Sequence, residues 1–458
     1  MDVRPRVGIF QAEWPVQSQT FNCALVLGQA GYPVDLFLFD TPIYHELDRL
    51  DAIPNIQVHT FSRSDNAPPY ARRTWRAIKE RTTSWPFLKS ALTSLVSGSH
   101  YLLIGAREVY ARGGDRERGL VPEWVLEKAG ALMEGKHYTC LIGIEKKGLI
   151  WAGLMGERMG IPYMYYSLEL YTRDHPQSRR SLHTRRTKPV EEKYHRKSLA
   201  TIVQDPERAE ILLRDNGVQS SELFYVPVSL VGEPYRAQSA FLQQRLQLPN
   251  DRRVILQFGQ ISEERFSTEL AHVAQDFPKE WTLVLHGYGP ERTVRKIRRV
   301  DSRGRVRLSL DLVPAHRLLE MMASADIGVA LYSSLSANDI LTALSSEKVA
   351  LYLQAGLPII AFDYPGYRRL IDRYGCGATI SSVGQLPAAV EKILAAYERF
   401  RSNAYECFTE CYEFSRQFQK VITRIDDLRD FSPSRWSALN HSGGRSREDV
   451  AARSRGNP

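Results

Sequence analysis

What the chain has little of narrows its reading first. Of 458 residues only five are cysteines, Cys23, Cys140, Cys376, Cys407 and Cys411. Their odd number and scatter argue against a disulfide framework and predict free thiols in a reducing compartment. Cys407 and Cys411 stand one helical turn apart with no histidine or second cysteine pair near them in sequence, so no metal site is expected. No uncharged apolar run reaches the roughly 18 residues of a membrane-spanning helix. The longest candidate, residues 85–106, is broken by Pro86, Lys89 and several serines. The opening MDVRPRVGIF passes into a strand within a few residues, which leaves no signal peptide and predicts a cytoplasmic protein. Glycine is missing between Gln11 and Gln19, where a dinucleotide fingerprint would sit, so NAD or FAD binding there is disfavoured. Zinc spacings and aromatic RNA-binding patterns are also missing, and nucleic acid is not an expected partner.

What is plentiful is positive charge. Sixty-one Lys and Arg against 52 Asp and Glu leave a net +9 and a pI near 9.2. The excess gathers in residues 72–118 and 173–197. Segment 63–118 also carries Tyr70, Trp75, Trp85, Phe87 and Tyr101. A basic surface with aromatic anchors suits an anionic membrane interface, while the same aromatics equally suit a core.

The length is too great for one ordinary core and predicts two domains. Strand-like runs at 6–10, 34–39, 56–61, 138–144, 200–204 and 223–228 alternate with helical patterns, as do 253–259, 281–286, 305–310, 326–332 and 359–362. That alternation predicts βα units and parallel sheets. The division expected is a first domain over 1–228, a linker over 229–252, a second domain over 253–390, helices over 391–430 and a disordered tail over 431–458. Ligands of doubly wound sheets bind beyond the carboxyl ends of the strands. Glu145 and Glu169 fall at such ends. Either can be a general base, an orienter of sugar hydroxyls, or only a carboxylate favoured at a helix start.

The most informative stretch is 345–362, SSEKVALYLQAGLPIIAF. Ser345, Ser346 and Glu347 suit a helix start, Ala355 and Gly356 its end, and residues 359–362 a buried parallel strand. The N–H groups of such a start favour anions, and Lys348 lies one turn inside. An ordinary helix-to-strand unit with a solvated lysine fits the pattern equally well.

Four passages together resemble the family-4-like GT-B glycosyltransferases (glycosyl transferases group 1), across about residues 6–430. They are SQTFNCALVLGQAGYPVDLF; ATIVQDPERAEILLRDNGV with FYVPVSLVG; VILQFGQISEERF with WTLVLHGYGPE; and the 345–362 stretch. The resemblance implies a GT-B α/β fold, two Rossmann-like doubly wound domains facing a central cleft, with the last helix returning to the first domain. It implies transfer of a sugar, by retention in the family's default, from a nucleotide-diphosphate donor, UDP- or GDP-linked. The acceptor would be a glycan, lipid-linked or small molecule in bacterial polysaccharide or glycoconjugate synthesis, with the enzyme cytoplasmic or peripheral on the inner membrane face. No separate cofactor or metal is implied.

On these residues the resemblance places Arg265 and Lys348 at the diphosphate, with Gly259, Gln260, His286, Gly287, Tyr288, Gly289, Ser345, Ser346 and Glu347 around the donor. Glu145 and Glu169 are the acceptor-side candidates. The Gly287–Gly289 loop is expected to let backbone approach the donor. Two departures stand out: Gln260 replaces the family's usual arginine, and Leu351 its usual ribose-gripping glutamate. They keep a non-catalytic binding or scaffold subunit among the readings. A sugar-nucleotide 2-epimerase, for which His286 is the best-placed histidine, is the nearest enzymatic rival.

Overall fold

The computed structural model describes residues 4–12, 16–39, 50, 52–62, 120–175, 178 and 181–429. The basic block 72–118, with its membrane-surface expectation, and the tail 431–458 lie outside the described residues.

Each half of the chain builds one parallel sheet. Strands β1 (Arg6–Gln11), β2 (Val34–Phe39), β3 (Ile56–Phe61), β4 (Tyr138–Ile144), β5 (Tyr163–Tyr166), β6 (Ala200–Val203) and β7 (Glu222–Tyr225) lie in the order β3-β2-β1-β4-β5-β6-β7. Strands β8 (Arg253–Gln260), β9 (Trp281–Tyr288), β10 (Val306–Ser309), β11 (Ile327–Ala330), β12 (Ile359–Phe362) and β13 (Gly377–Ile380) lie in the order β10-β9-β8-β11-β12-β13. Helices cover both faces, which is why the strands read as unbroken apolar runs. In β1, Val7 and Ile9 enter one core and Phe10 the other; in β8, Val254 and Leu256 part from Ile255 in the same way. The sequence reading had no counterpart for helix Glu123–Met133, helix Pro365–Tyr374 or β13.

One charge is buried inside the first sheet. Asp35 in β2 accepts through Oδ2 from Arg6 (2.6 Å) and Tyr138 (2.6 Å) and through Oδ1 from Lys136 (3.1 Å), and Oδ1 also lies 2.7 Å from His59 Nε2. Burial alone would raise its pKa; these four partners outweigh it and hold the carboxyl far below the usual range.

The linker and the return crossing differ in extent from the expected bounds. Helix Phe241–Leu246, inside the expected linker, buries Phe241 and Leu242 in the second domain's core. Helices Leu386–Leu394 and Tyr397–Cys407 also pack on the second domain. After a π-helical turn, Phe408–Tyr412, helix Phe414–Asp427 returns to the first domain, packing on helix Ser18–Gln29 and β7 and burying Phe414, Phe418, Val421, Ile422 and Ile425 in that domain's core. Outgoing and returning chains are tied where Phe414 N–H donates to Leu230 O at 3.1 Å. Among the described residues no helix is long and apolar enough to cross a membrane.

Candidate functional site

In both sheets the strand order reverses beside the first strand, β1 or β8, and a crevice opens there at the carboxyl ends. The two crevices face each other across a cleft of about 940 Å³. Gln17, Ser18, Glu169, Tyr171 and His175 line it from the first domain. Gly259, Gln260, Arg265, Tyr288, Tyr332, Asn338, Asp339 and residues 345–348 line it from the second. A hollow of similar size, about 970 Å³, lies by Asn250, Arg253, Asp326 and Tyr397. Its Asp326 is already held by Arg253 and the Val254 N–H, and the hollow gathers no comparable set of groups.

Helix Glu347–Gln354 begins where the sequence predicts, and its first turn sits at the cleft. Lys348 Nζ lies 4.8 Å from the centroid of the Tyr332 ring, and the Arg265 guanidinium lies 4.4 Å from the same centroid. Arg265 Nη1 also donates to Asp339 at 3.2 Å. Among the described residues no carboxylate pairs with Lys348. Burial, with Arg265 as second cause, pushes its pKa down to about 7. Two cations held about one aromatic ring, one lacking a counter-ion, make a site that an anion completes.

The serines beside Lys348 are already engaged. Ser345 Oγ donates to Leu341 O at 2.8 Å and accepts from Arg208 at 3.0 Å; Ser346 Oγ bonds the Tyr332 hydroxyl. Glu347 accepts from Ser18 Oγ of the first domain at 2.5 Å. What the helix start leaves for a ligand is therefore backbone N–H, not hydroxyl.

The other expected residues divide. Gln260 ends β8 in the cleft wall, and Tyr288, 70% exposed, stands over it. Gly287 has φ +141, and a Cβ on it would lie 1.8 Å from Gly259 O; a Cβ on Gly289 would lie 2.2 Å from Ile261 O. These glycines let the end of β9 close against β8. His286 does not line the cleft. It is buried, stacked on Phe258 and bonded through Nδ1 to Ser309 Oγ at 2.8 Å, and burial pushes its pKa down to about 4. The epimerase reading thereby loses the histidine it leaned on.

Of the two carboxylates, Glu169 reaches the cleft, where it accepts from Asn338 Nδ2 at 2.9 Å. Glu145 lies behind it, buried, with left-handed φ +61, and its Oε1 accepts from the N–H groups of Leu168 (2.6 Å) and Glu169 (2.8 Å). It shapes the loop that presents Glu169. The sequence reading did not single out Ser18, Arg208, Tyr332, Asn338 or Asp339, because nothing local marks them. Much of the 173–197 charge is paired: Arg173 and Arg196 with Glu192, Lys188 with Asp215, Lys197 with Glu157. Among the described residues no group of three or more His, Cys, Asp or Glu is placed to hold a metal ion.

No protein-family model and no curated protein matches the chain. Solved structures do. Sucrose-phosphate synthase from Thermosynechococcus elongatus aligns with TM-score 0.62 and 16% identity, over 93% of this chain and 99% of its own. HepE of Anabaena, in complex with UDP and glucose, aligns with TM-score 0.61 and 12% identity, over 93% and 100%. WaaG, a glycosyltransferase involved in lipopolysaccharide biosynthesis, aligns with TM-score 0.53 and 11% identity, over 91% and 99%. At these identities the likeness shows the fold: two facing α/β domains of the GT-B type, as the sequence resemblance implied.

Proposed function

We propose that the chain is a glycosyltransferase that moves a sugar from a nucleotide-diphosphate donor to a glycan, lipid-linked or small-molecule acceptor. The observation that carries the reading is Lys348, a cleft ammonium without a carboxylate partner among the described residues, at a helix start and sharing the Tyr332 ring with Arg265. In the transfer, an acceptor oxygen bonds the anomeric carbon as the bond from that carbon to the diphosphate breaks. Negative charge grows on the departing β-phosphate, and groups already fixed where it grows lower the barrier. Lys348, Arg265 and the N–H groups of the helix start fill that role. Gln260, in the cleft wall, supplies a neutral amide where a second arginine would add charge. Glu169, which lines the cleft from the first domain, is the acceptor-side carboxylate in this reading and receives the acceptor's proton.

That HepE was crystallised with UDP, and that WaaG serves lipopolysaccharide synthesis, supports a uridine donor and a bacterial glycoconjugate acceptor. Cytoplasmic residence, with the basic segment 72–118 resting on the inner membrane face, belongs to the same proposal. The test is a calorimetric titration of the protein with UDP, GDP, ADP and dTDP beside the Lys348→Ala variant. Selective binding that weakens in the variant is expected. No binding of any nucleotide would overturn the reading in favour of a scaffold subunit.

A further inference from the structure

Arg208 belongs to the first domain, on helix Pro206–Asn216, whose start is fixed by the Asp205 carboxylate accepting from the Arg208 N–H at 2.7 Å. It is 1% exposed and does not line the cleft. Its guanidinium nonetheless spends three of its four hydrogen bonds on the second domain. Nη1 donates to Leu341 O (3.2 Å) and Ser345 Oγ (3.0 Å); Nη2 donates to Asn338 Oδ1 (3.0 Å) and, within its own domain, to Leu168 O (2.6 Å). None of these acceptors is a carboxylate. The carboxylates of Glu169, Asp205 and Glu145 favour its charge from nearby without bonding it, while burial opposes it, so the direct hold on the guanidinium comes from neutral oxygens whose geometry sets its place.

The acceptors share one segment. Residues 337–345 carry the short helix Ala337–Ile340, and Ala337 and the following Leu341 pack on the first domain's core. Asn338 also accepts from the Leu170 N–H (3.0 Å) and donates to Glu169, so the segment holds the acceptor-side loop as well. Asp339, next in sequence, holds Arg265, and Ser345 precedes the helix start that carries Lys348. Both cations at Tyr332 are thus set by a segment whose place is fixed from the other domain.

We infer that Arg208 is a positioning residue that locks segment 337–345 against the first domain and thereby assembles the anion site of Arg265 and Lys348 only when the domains are together. A lysine has one donor head and cannot reproduce this three-point fork, so the role is specific to a guanidinium. The inference rests on the donor-site reading for its link to nucleotide. Its link to the segment stands without that reading.

The test therefore has two readouts on the full-length chain. Amide hydrogen exchange in the free protein should rise at least tenfold in residues 337–345 of Arg208→Gln while β8 and β9 stay protected. UDP affinity, measured by calorimetry, should fall at least tenfold in the same variant. Arg369→Ala cuts a separate contact of this helix across the domains, the ion pair of Glu207 with Arg369, and should leave UDP affinity unchanged. Asn338→Ala approaches the lock from its other side, and the double variant should lose no more than the worse single one. If Arg208→Gln does not fold, Asn338→Ala decides on both readouts.

Unchanged exchange in 337–345 overturns the assignment. So does an unchanged UDP affinity accompanied only by a lower melting temperature, which would mark Arg208 as structural. Failure of the wild-type protein to bind any nucleotide defeats the transferase reading and the anion-site half of this inference together, and the exchange result then decides the segment lock alone.

Discussion

The state of Lys348 yields a proton count. With a folded pKa of about 7, roughly nine-tenths of this lysine is neutral at pH 8. A diphosphate brought beside it restores the ammonium, so UDP binding at pH 8 should take up about 0.9 proton. The nucleotide adds little, since its last phosphate ionisation lies near pH 6 or so. The assay is calorimetric titration in buffers of different ionisation enthalpy, where the slope of observed heat against buffer heat counts the protons. Lys348→Met should bring that slope near zero. At pH 7 it should also weaken UDP binding by roughly tenfold to a hundredfold, from about 1.5–3 kcal/mol for a charge-assisted contact. The gap should narrow toward pH 9, where the wild-type lysine must recover its proton from a scarcer supply. The free protein supplies a sign check. Folded pKa about 7 against 10.5 unfolded means the unfolded chain holds the Lys348 proton between those values, so this lysine's contribution to stability rises with pH across that window, and the stability of wild type relative to Lys348→Met should rise with it. A wild-type slope near zero with intact UDP binding would refute the argument, because the lysine would then be already charged or away from the phosphates.

Two further outcomes concern the frame of the site. Asp35→Asn leaves Arg6, His59 and Lys136 around a neutral side chain and should cost about 3–5 kcal/mol in urea unfolding at pH 7. Because the folded pKa of Asp35 is depressed, its stabilisation is present above the unfolded value near 3.8 and is lost as pH falls below it. The difference between wild type and variant should therefore shrink at pH 3, and a constant difference would place the effect elsewhere. Gly287→Ala forces a Cβ into Gly259 O beside the cleft, so thermal stability and UDP affinity should fall together; a variant matching wild type in both would contradict the β8–β9 contact.

Much of the scaffold was legible in the sequence, for physical reasons that differ by element. Strands covered on both faces must be apolar throughout, so VDLFLF and WTLVLH declare themselves without their neighbours. Four-residue β13, GATI, carries too little pattern to be seen alone. The helix start at 345–348 is a local signal, and it put Lys348 at the cleft. His286 shows the opposite case. Its place at the end of a strand suited a site, but the face on which its ring points was decided by Phe258 and Ser309.

What the sequence determined by itself is thus the set of βα units and the helix start at 345–348, because each depends on residues within one or two turns of each other, and the two-domain plan, because chain length alone exceeds one core. The tertiary structure alone decided that Glu169 faces the cleft while Glu145 buttresses it, that glycines 287 and 289 let β9 close against β8, and that Arg208 and Asn338 meet across the two domains. Those roles are contacts between residues as far as 137 positions apart for Arg208 with Ser345 and 169 for Glu169 with Asn338. The contacts of Arg208 and Glu169 exist only where the two sheets face each other, those of Glu145 and Gly287 only where loops and neighbouring strands of one sheet have packed, and no local pattern encodes either meeting.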